Sequence, residues 1–130
     1  MRGGIFHEHM IEILEKMFQK RGLRTKRQVP SRKGRKTGYI DLLVSNDDDS
    51  MFLIIEVEMS KTRVLNDLLK QKDFGNDAVL WIVPPTRVLA TAIKNHLQNH
   101  GIVENDKIFV FPFSAAIKRV LIKNPFCSRS

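Results

Sequence analysis

The chain is poor in cysteine. Cys127 stands alone near the C-terminal end, and one thiol cannot close an intrachain disulfide, which points to a reducing compartment. Long apolar runs are missing too. The longest, "FLII" and "AVLWIV", fall far short of the ~20 residues needed to cross a bilayer, and "MRGGIFHEHM" has no unbroken apolar stretch of the kind a secretory signal requires. An intracellular, cytoplasmic protein without membrane contact is therefore expected. A zinc motif is also lacking: "HEHMI" is not H-E-x-x-H and no cysteine is near it, which leaves His7 and His9 to surface or phosphate contacts. With no repeat, low-complexity tract or dividing linker, residues 1–130 are expected to form a single domain. Hydrophobic residues at 42% suffice for one core, and charged residues at 28% for an ordinary soluble exterior.

Acidic residues are outnumbered, 14 against 22 lysines and arginines, for a net charge of +8. A basic excess favours a polyanionic partner, because cations that neutralise phosphates release counterions, although composition does not separate DNA, RNA and acidic membranes. Its distribution is uneven. The segment "KRGLRTKRQVPSRKGRK" holds nine basic residues (Lys20, Arg21, Arg24, Lys26, Arg27, Arg32, Lys33, Arg35 and Lys36) and no acidic one. Like charges in such a run repel one another unless they face phosphates, so a nucleic-acid contact is expected there. The scarcity of aromatic residues nearby argues against a base-stacking platform.

Periodicity supplies a scaffold. Phe6, Met10, Ile13, Leu14 and Met17 recur at three and four residues, predicting a helix over 5–21 that stops at Gly22. "LRTKRQV", "YIDLLV" and "MFLIIEVEM" read as a meander of three strands, with a basic loop over 30–38 and a turn at "SNDDDS". A helix over 62–74 follows, then the wholly apolar "AVLWIV", which reads as a central strand stopped by Pro84 and Pro85. The remainder is a helix in "TRVLATAIKNHLQNHG", a strand in "KIFVF", and a last helix in "SAAIKRVLI" with Ser114 as its cap. The order is αβββαβαβα. The apolar faces of "LATAIKNHL" and "SAAIKRVLI" either complete the core or form a subunit interface.

Into the two strands of "GYIDLLVSNDDDSMFLIIEVEM" the sequence places three isolated carboxylates, Asp41, Glu56 and Glu58. Ionised carboxylates do not enter apolar surroundings without a compensating cation or hydrogen bonds. Side chains alternate along a strand, so Glu56 and Glu58 share a face. A hairpin centred near Asp48 sets Asp41 opposite Ile55, and a shift of one residue brings it opposite Glu56. Oxygen clusters of this kind suit magnesium, calcium or manganese. The competing reading is a structural ion-pair network with neighbouring basic side chains. Asp47, Asp48 and Asp49 are assigned to the turn.

An Asp on the second strand and Glu-x-Glu on the third about fifteen residues later, within an αβββαβ order, resembles the PD-(D/E)xK nuclease superfamily, which includes restriction endonucleases and archaeal Holliday-junction resolvases. The resemblance covers roughly residues 5 to 85. It implies an α/β fold with a restriction endonuclease-like αβββαβ core, a mixed central sheet flanked by helices, here with a C-terminal α-β-α extension. It further implies a Mg2+- or Mn2+-dependent DNA endonuclease, acting on duplex or branched DNA as a homodimer, or a catalytically inactive nucleic-acid-binding module that keeps the fold. Asp41 and Glu56 would hold the metal, with Glu58 as a further ligand or general base. Two features depart from the family pattern: Ile40 precedes Asp41 where the family has proline, and Glu58 replaces the usual lysine. Lys61, Lys70 or Lys72 would supply a relocated positive charge, and Glu8 or Glu12 the first-helix glutamate that family members often add. Arg24, Lys26, Arg27, Arg32, Lys33, Arg35 and Lys36 would meet the nucleic acid.

Overall fold

A computed structural model describes residues 4–31, 38–75, 77–122 and 124–126. The first helix, α1 (Gly4–Lys20), buries His7, Met10, Ile11, Leu14 and Phe18 along one stripe. This is a correction to the expected face: Met10 and Leu14 are shared, but Phe6 is 68% exposed and Ile11 and Phe18 take the inward positions. The stripe is turned because it includes a polar residue, His7, that periodicity in apolar residues alone passes over. Gly22, at φ 80°, ends the helix, and the Leu23 N–H returns to the Phe18 carbonyl at 3.1 Å.

Strands β1 (Arg24–Pro30), β2 (Tyr39–Ser45) and β3 (Phe52–Val57) form the antiparallel meander. Their connecting turn is held by Asn46 and Asp48, whose side chains accept from the Met51 and Ser50 N–H groups, and by Asp49 at φ 55°. Helix α2 (Val64–Gln71), continued by a 3-10 turn (Lys72–Phe74), crosses over to β4 (Val79–Val83). A second crossover, α3 (Arg87–Asn99), leads to β5 (Ile108–Val110), and α4 (Phe113–Ile122) follows. The five strands are ordered β1-β2-β3-β4-β5, with β3, β4 and β5 parallel. Strand β4 is paired on both sides and buried throughout, but β3 rather than β4 holds the centre.

Two apolar layers cover this mixed sheet. Residues of α1 and α4 pack with Leu42, Val44, Leu53, Ile55, Val57 and Trp81 on one face. On the other, Val64 of α2 and Ala90, Ile93 and Leu97 of α3 pack with Ile40, Leu43, Ile54, Leu80 and Ile82. The apolar stripes of α3 and α4 therefore complete the core. Thr86 caps α3 by accepting from the Leu89 N–H. Ser114 lies inside the first turn of α4, where the Pro112 carbonyl accepts from the Ala115 and Ala116 N–H groups. No helix among the described residues is long and apolar enough to cross a membrane.

The orientation of α1 is directly measurable. Phe18→Ala should lower unfolding free energy by about 3–5 kcal/mol in urea titrations, whereas Phe6→Ala should change it by less than about 0.5 kcal/mol. A larger loss at Phe6 than at Phe18 would refute the observed face.

Candidate metal centre

The β2–β3 ladder runs from Ser45 opposite Phe52 to Leu42 opposite Ile55, one residue away from the register that a turn centred on Asp48 implies. The next step places Asp41 opposite Glu56, and here side chains replace the ladder. The Asp41 N–H donates to Glu56 Oε2 at 3.0 Å, and the Val57 N–H donates to Asp41 Oδ2 at 2.9 Å. Each carboxylate accepts a backbone proton from the opposite strand.

A local break in β2 makes this exchange possible. Leu42 and Val44 point to the α1–α4 face, whereas Ile40 and Leu43 point to the other, so strict alternation fails around Asp41. Across from it, β1 pairs Arg27 with Leu42 and Val29 with Ile40 but skips Gln28, which has φ 55°. A non-glycine residue in the left-handed region is uncommon and re-aims the strand.

Helix α1 reaches Asp41 from one side. His7 Nε2 lies 3.2 Å from Asp41 Oδ2, with both residues buried, and His7 Nδ1 lies 3.5 Å from Glu8 Oε1. Glu8 also faces Arg27 at 3.6 Å, so it joins the site only through His7. Glu12 stays apart: it is exposed and paired with Lys16 at 3.0 Å, and that lysine holds its carboxyl below the usual range. The surface role expected for His7 is thus corrected, while His9 is exposed.

Helix α2 reaches Glu56 from the other side. Lys70 Nζ lies 2.9 Å from Glu56 Oε1 and donates to the Tyr39 carbonyl at 2.8 Å. Lys61 and Lys72 are both exposed, so of the three lysines named above only Lys70 meets a carboxylate of the sheet. Val64, Asp67 and Lys70 are the buried residues of α2, one helical line at a spacing of three. Asp67 is consequently carried to the end of β3, where carboxylate oxygens of Glu56, Glu58 and Asp67 all lie within 4.8 Å of one another. Asp41 is outside that group, although it touches Glu56 through its backbone.

The structure thus brings together Asp41, Glu56, Glu58 and Lys70, which the sequence singles out for the site, with Asp67 and His7, which it does not place there. Both missed residues extend an inward stripe: Asp67 lies three positions after Val64, and His7 three before Met10. A search for polar residues at inward helix positions would have found them.

Electrostatics at this spot are severe. Burial pushes the Glu56 carboxyl up from 4.5 to about 7; the negative charge of Asp41 adds to the rise, and Lys70 opposes it. Burial, then the charge of Glu56, then a hydrogen bond with Glu58 and the charge of Glu58, drive Asp67 well above the usual carboxyl range. Among the described residues, Lys70 is the only buried lysine or arginine, against four buried carboxyl groups. An all-oxygen donor set with surplus negative charge fits a hard divalent cation such as magnesium or manganese. Among the described residues, Lys70 at Glu56 and His7 at Asp41 are basic side chains that reach these acids.

The basic strand divides. Arg24 and Lys26 point outward on β1, and Arg24 contacts Asp49 at 3.6 Å. Arg27 turns inward instead and pairs with Glu15 at 3.0 Å, clamping β1 to α1. Arg32, Lys33, Arg35 and Lys36, like Cys127, lie outside the described residues. No protein-family model and no curated protein matches the chain.

A carboxyl with a raised pKa holds its proton more tightly in the folded chain than in the unfolded one. Its stabilising effect is full below about pH 4.5 and is lost as pH rises toward 7. In metal-free buffer the urea midpoint should therefore fall over that interval, by an amount on the order of 3 kcal/mol from Glu56, and Glu56→Gln should flatten the curve. A midpoint that climbs over the same interval would show Glu56 to be fully compensated as an anion.

Proposed function

We propose that the protein is a Mg2+- or Mn2+-dependent DNA endonuclease of the restriction endonuclease-like, PD-(D/E)xK kind. The observation that carries this reading is the convergence of Asp41, Glu56 and Lys70 at the point where the β2–β3 ladder gives way to side chains. Two acids and a lysine meet there although they come from two strands and a helix. The lysine slot of the resemblance holds Glu58, and the cation arrives from α2 instead. The αβββαβ element order and the mixed sheet agree with this assignment.

Asp41 and Glu56, with Glu58 beside them, would hold the metal, which when bound lowers the pKa of a coordinated water and neutralises charge on the phosphate. The protein's own residues do the positioning. The His7 ring and the Val57 N–H fix Asp41, and Lys70 places a positive charge next to Glu56, where an anionic phosphodiester would need one. Arg24 and Lys26, on the edge strand next to the Asp41-bearing strand, would contact the backbone of duplex or branched DNA without reading its sequence. A homodimer would let each subunit cut one strand.

One observation favours a second reading, a catalytically silent nucleic-acid-binding module. Glu56 and Glu58 are almost wholly buried, and Glu56 is already paired with Lys70, a geometry that serves folding as well as chemistry.

Plasmid and four-way-junction DNA incubated with magnesium or manganese separate the two. The endonuclease reading expects cutting that stops with a chelator and falls at least about 100-fold in Asp41→Asn, Glu56→Gln and Lys70→Met, the scale of removing one electrostatic contact to the transition state. Cutting by Asp41→Asn at the wild-type rate would remove the proposed site. Binding without cutting in either metal would favour the module, and Lys26→Gln should lower the salt slope of binding by about 1 in either case.

A further inference from the structure

We infer that Asp67 is a metal ligand, and that Glu56, Glu58 and Asp67 together form a one-ion site for a hard divalent cation at the end of β3. This deepens the reading above and rests on its metal dependence, though not on cleavage. Asp67 was not among the residues that the sequence singles out, and its position has no other evident use. It is completely buried, and apart from the neighbouring Glu58 carboxyl neither of its carboxylate oxygens has a hydrogen-bond partner among the described residues. Lys70 Nζ stands 3.6 Å from Oδ1, beyond hydrogen-bond distance, and donates to Glu56 and to the Tyr39 carbonyl. A buried carboxylate without such a partner is unfavourable by several kcal/mol, and an apolar residue at this inward position of α2 would pack better.

What surrounds Asp67 indicates what it awaits. Its neighbours are further carboxylates, with one oxygen each from Glu56, Glu58 and Asp67 within 4.8 Å of the others. Ligand oxygens on opposite sides of a single ion are about 4 Å apart for magnesium and about 5 Å for calcium, from metal–oxygen distances of about 2.1 and 2.5 Å. All three can therefore reach one ion with small side-chain adjustments. Glu56 comes from β3, Glu58 from the residue just past its end and Asp67 from α2, and the turn over 59–63 that joins them exposes Ser60, Lys61, Thr62 and Arg63.

Manganese binding, followed by the electron paramagnetic resonance of free Mn2+ in the absence of nucleic acid, tests the assignment on the full chain. Wild-type protein should bind one ion at this centre. Asp67→Asn, which keeps shape and removes charge, should weaken its binding at least about tenfold, and its urea midpoint without metal should equal or exceed that of the wild type. Glu58→Gln should weaken binding comparably and serves if the first variant fails to fold, while Asp47→Asn in the exposed turn should leave binding unchanged. Unaltered affinity in Asp67→Asn, or in Glu58→Gln, overturns the proposed ligand set and leaves the endonuclease reading standing if the protein still cuts DNA. Absence of any Mn2+ binding by the wild type overturns both. Tight Mn2+ binding that is lost in Asp67→Asn, in a protein that cuts no DNA, upholds the ligand set and rejects the endonuclease.

Discussion

Four carboxyl groups, from Asp41, Glu56, Glu58 and Asp67, are removed from water, with Lys70 the one buried lysine among the described residues, and one end of the sheet is organised around these acids. Burial opposes each negative charge, and mutual repulsion raises the penalty further. The fold answers in two ways. Backbone N–H groups of β2 and β3 are given to the carboxylates instead of to the ladder, which supplies hydrogen bonds but leaves the net charge unchanged. Lys70 and His7 supply cationic or hydrogen-bonding partners from opposite faces, α2 and α1. Retained protons and a bound metal ion are two ways of balancing negative charge at such a spot, and they make opposite demands on solution conditions.

A sheet with this defect needs strong support elsewhere, and the two apolar layers provide it. Trp81 and Phe18, with ring centroids 5.8 Å apart, lie at the heart of the α1–α4 layer, and the Ile54, Leu80 and Ile82 face is sealed by α2 and α3. Burial of β4 and of all but the first residue of β2 and of β3 means that their register cannot slip without exposing a whole face, so the carboxylates stay in place despite the interrupted ladder. The edge strand β1 has the least burial of the meander, and its outward positions carry Arg24 and Lys26. Charge on an edge also discourages pairing with another chain.

Much of this was legible in the residues. Three alternating or β-branched runs around turn-forming clusters mark the meander, and Gly22, Gly75 and Gly101, all at positive φ, end the three helical segments that they follow. The isolated acids in "YIDLLV" and "FLIIEVE" were conspicuous because the neighbouring positions are apolar. What could not be read was inward polarity on helices. His7 and Asp67 occupy core-facing positions whose nature is decided by partners on strands 34 residues and about ten residues away in the chain, and periodicity counts only apolar residues. The pairing of Asp41 with Glu56 depended on a one-residue choice of turn geometry, which hydrophobic pattern alone does not fix.

The central claim is that a doubly charged ion, rather than retained protons, balances these carboxylates when the protein works. A crystal grown with Mn2+ near neutral pH, measured for anomalous scattering, addresses it most directly. A single strong peak within about 2.5 Å of Glu56 and at least one of its carboxylate neighbours is the expected result. Clear density for the four side chains with no peak among them, and with Lys70 still bonded to Glu56, would contradict the account.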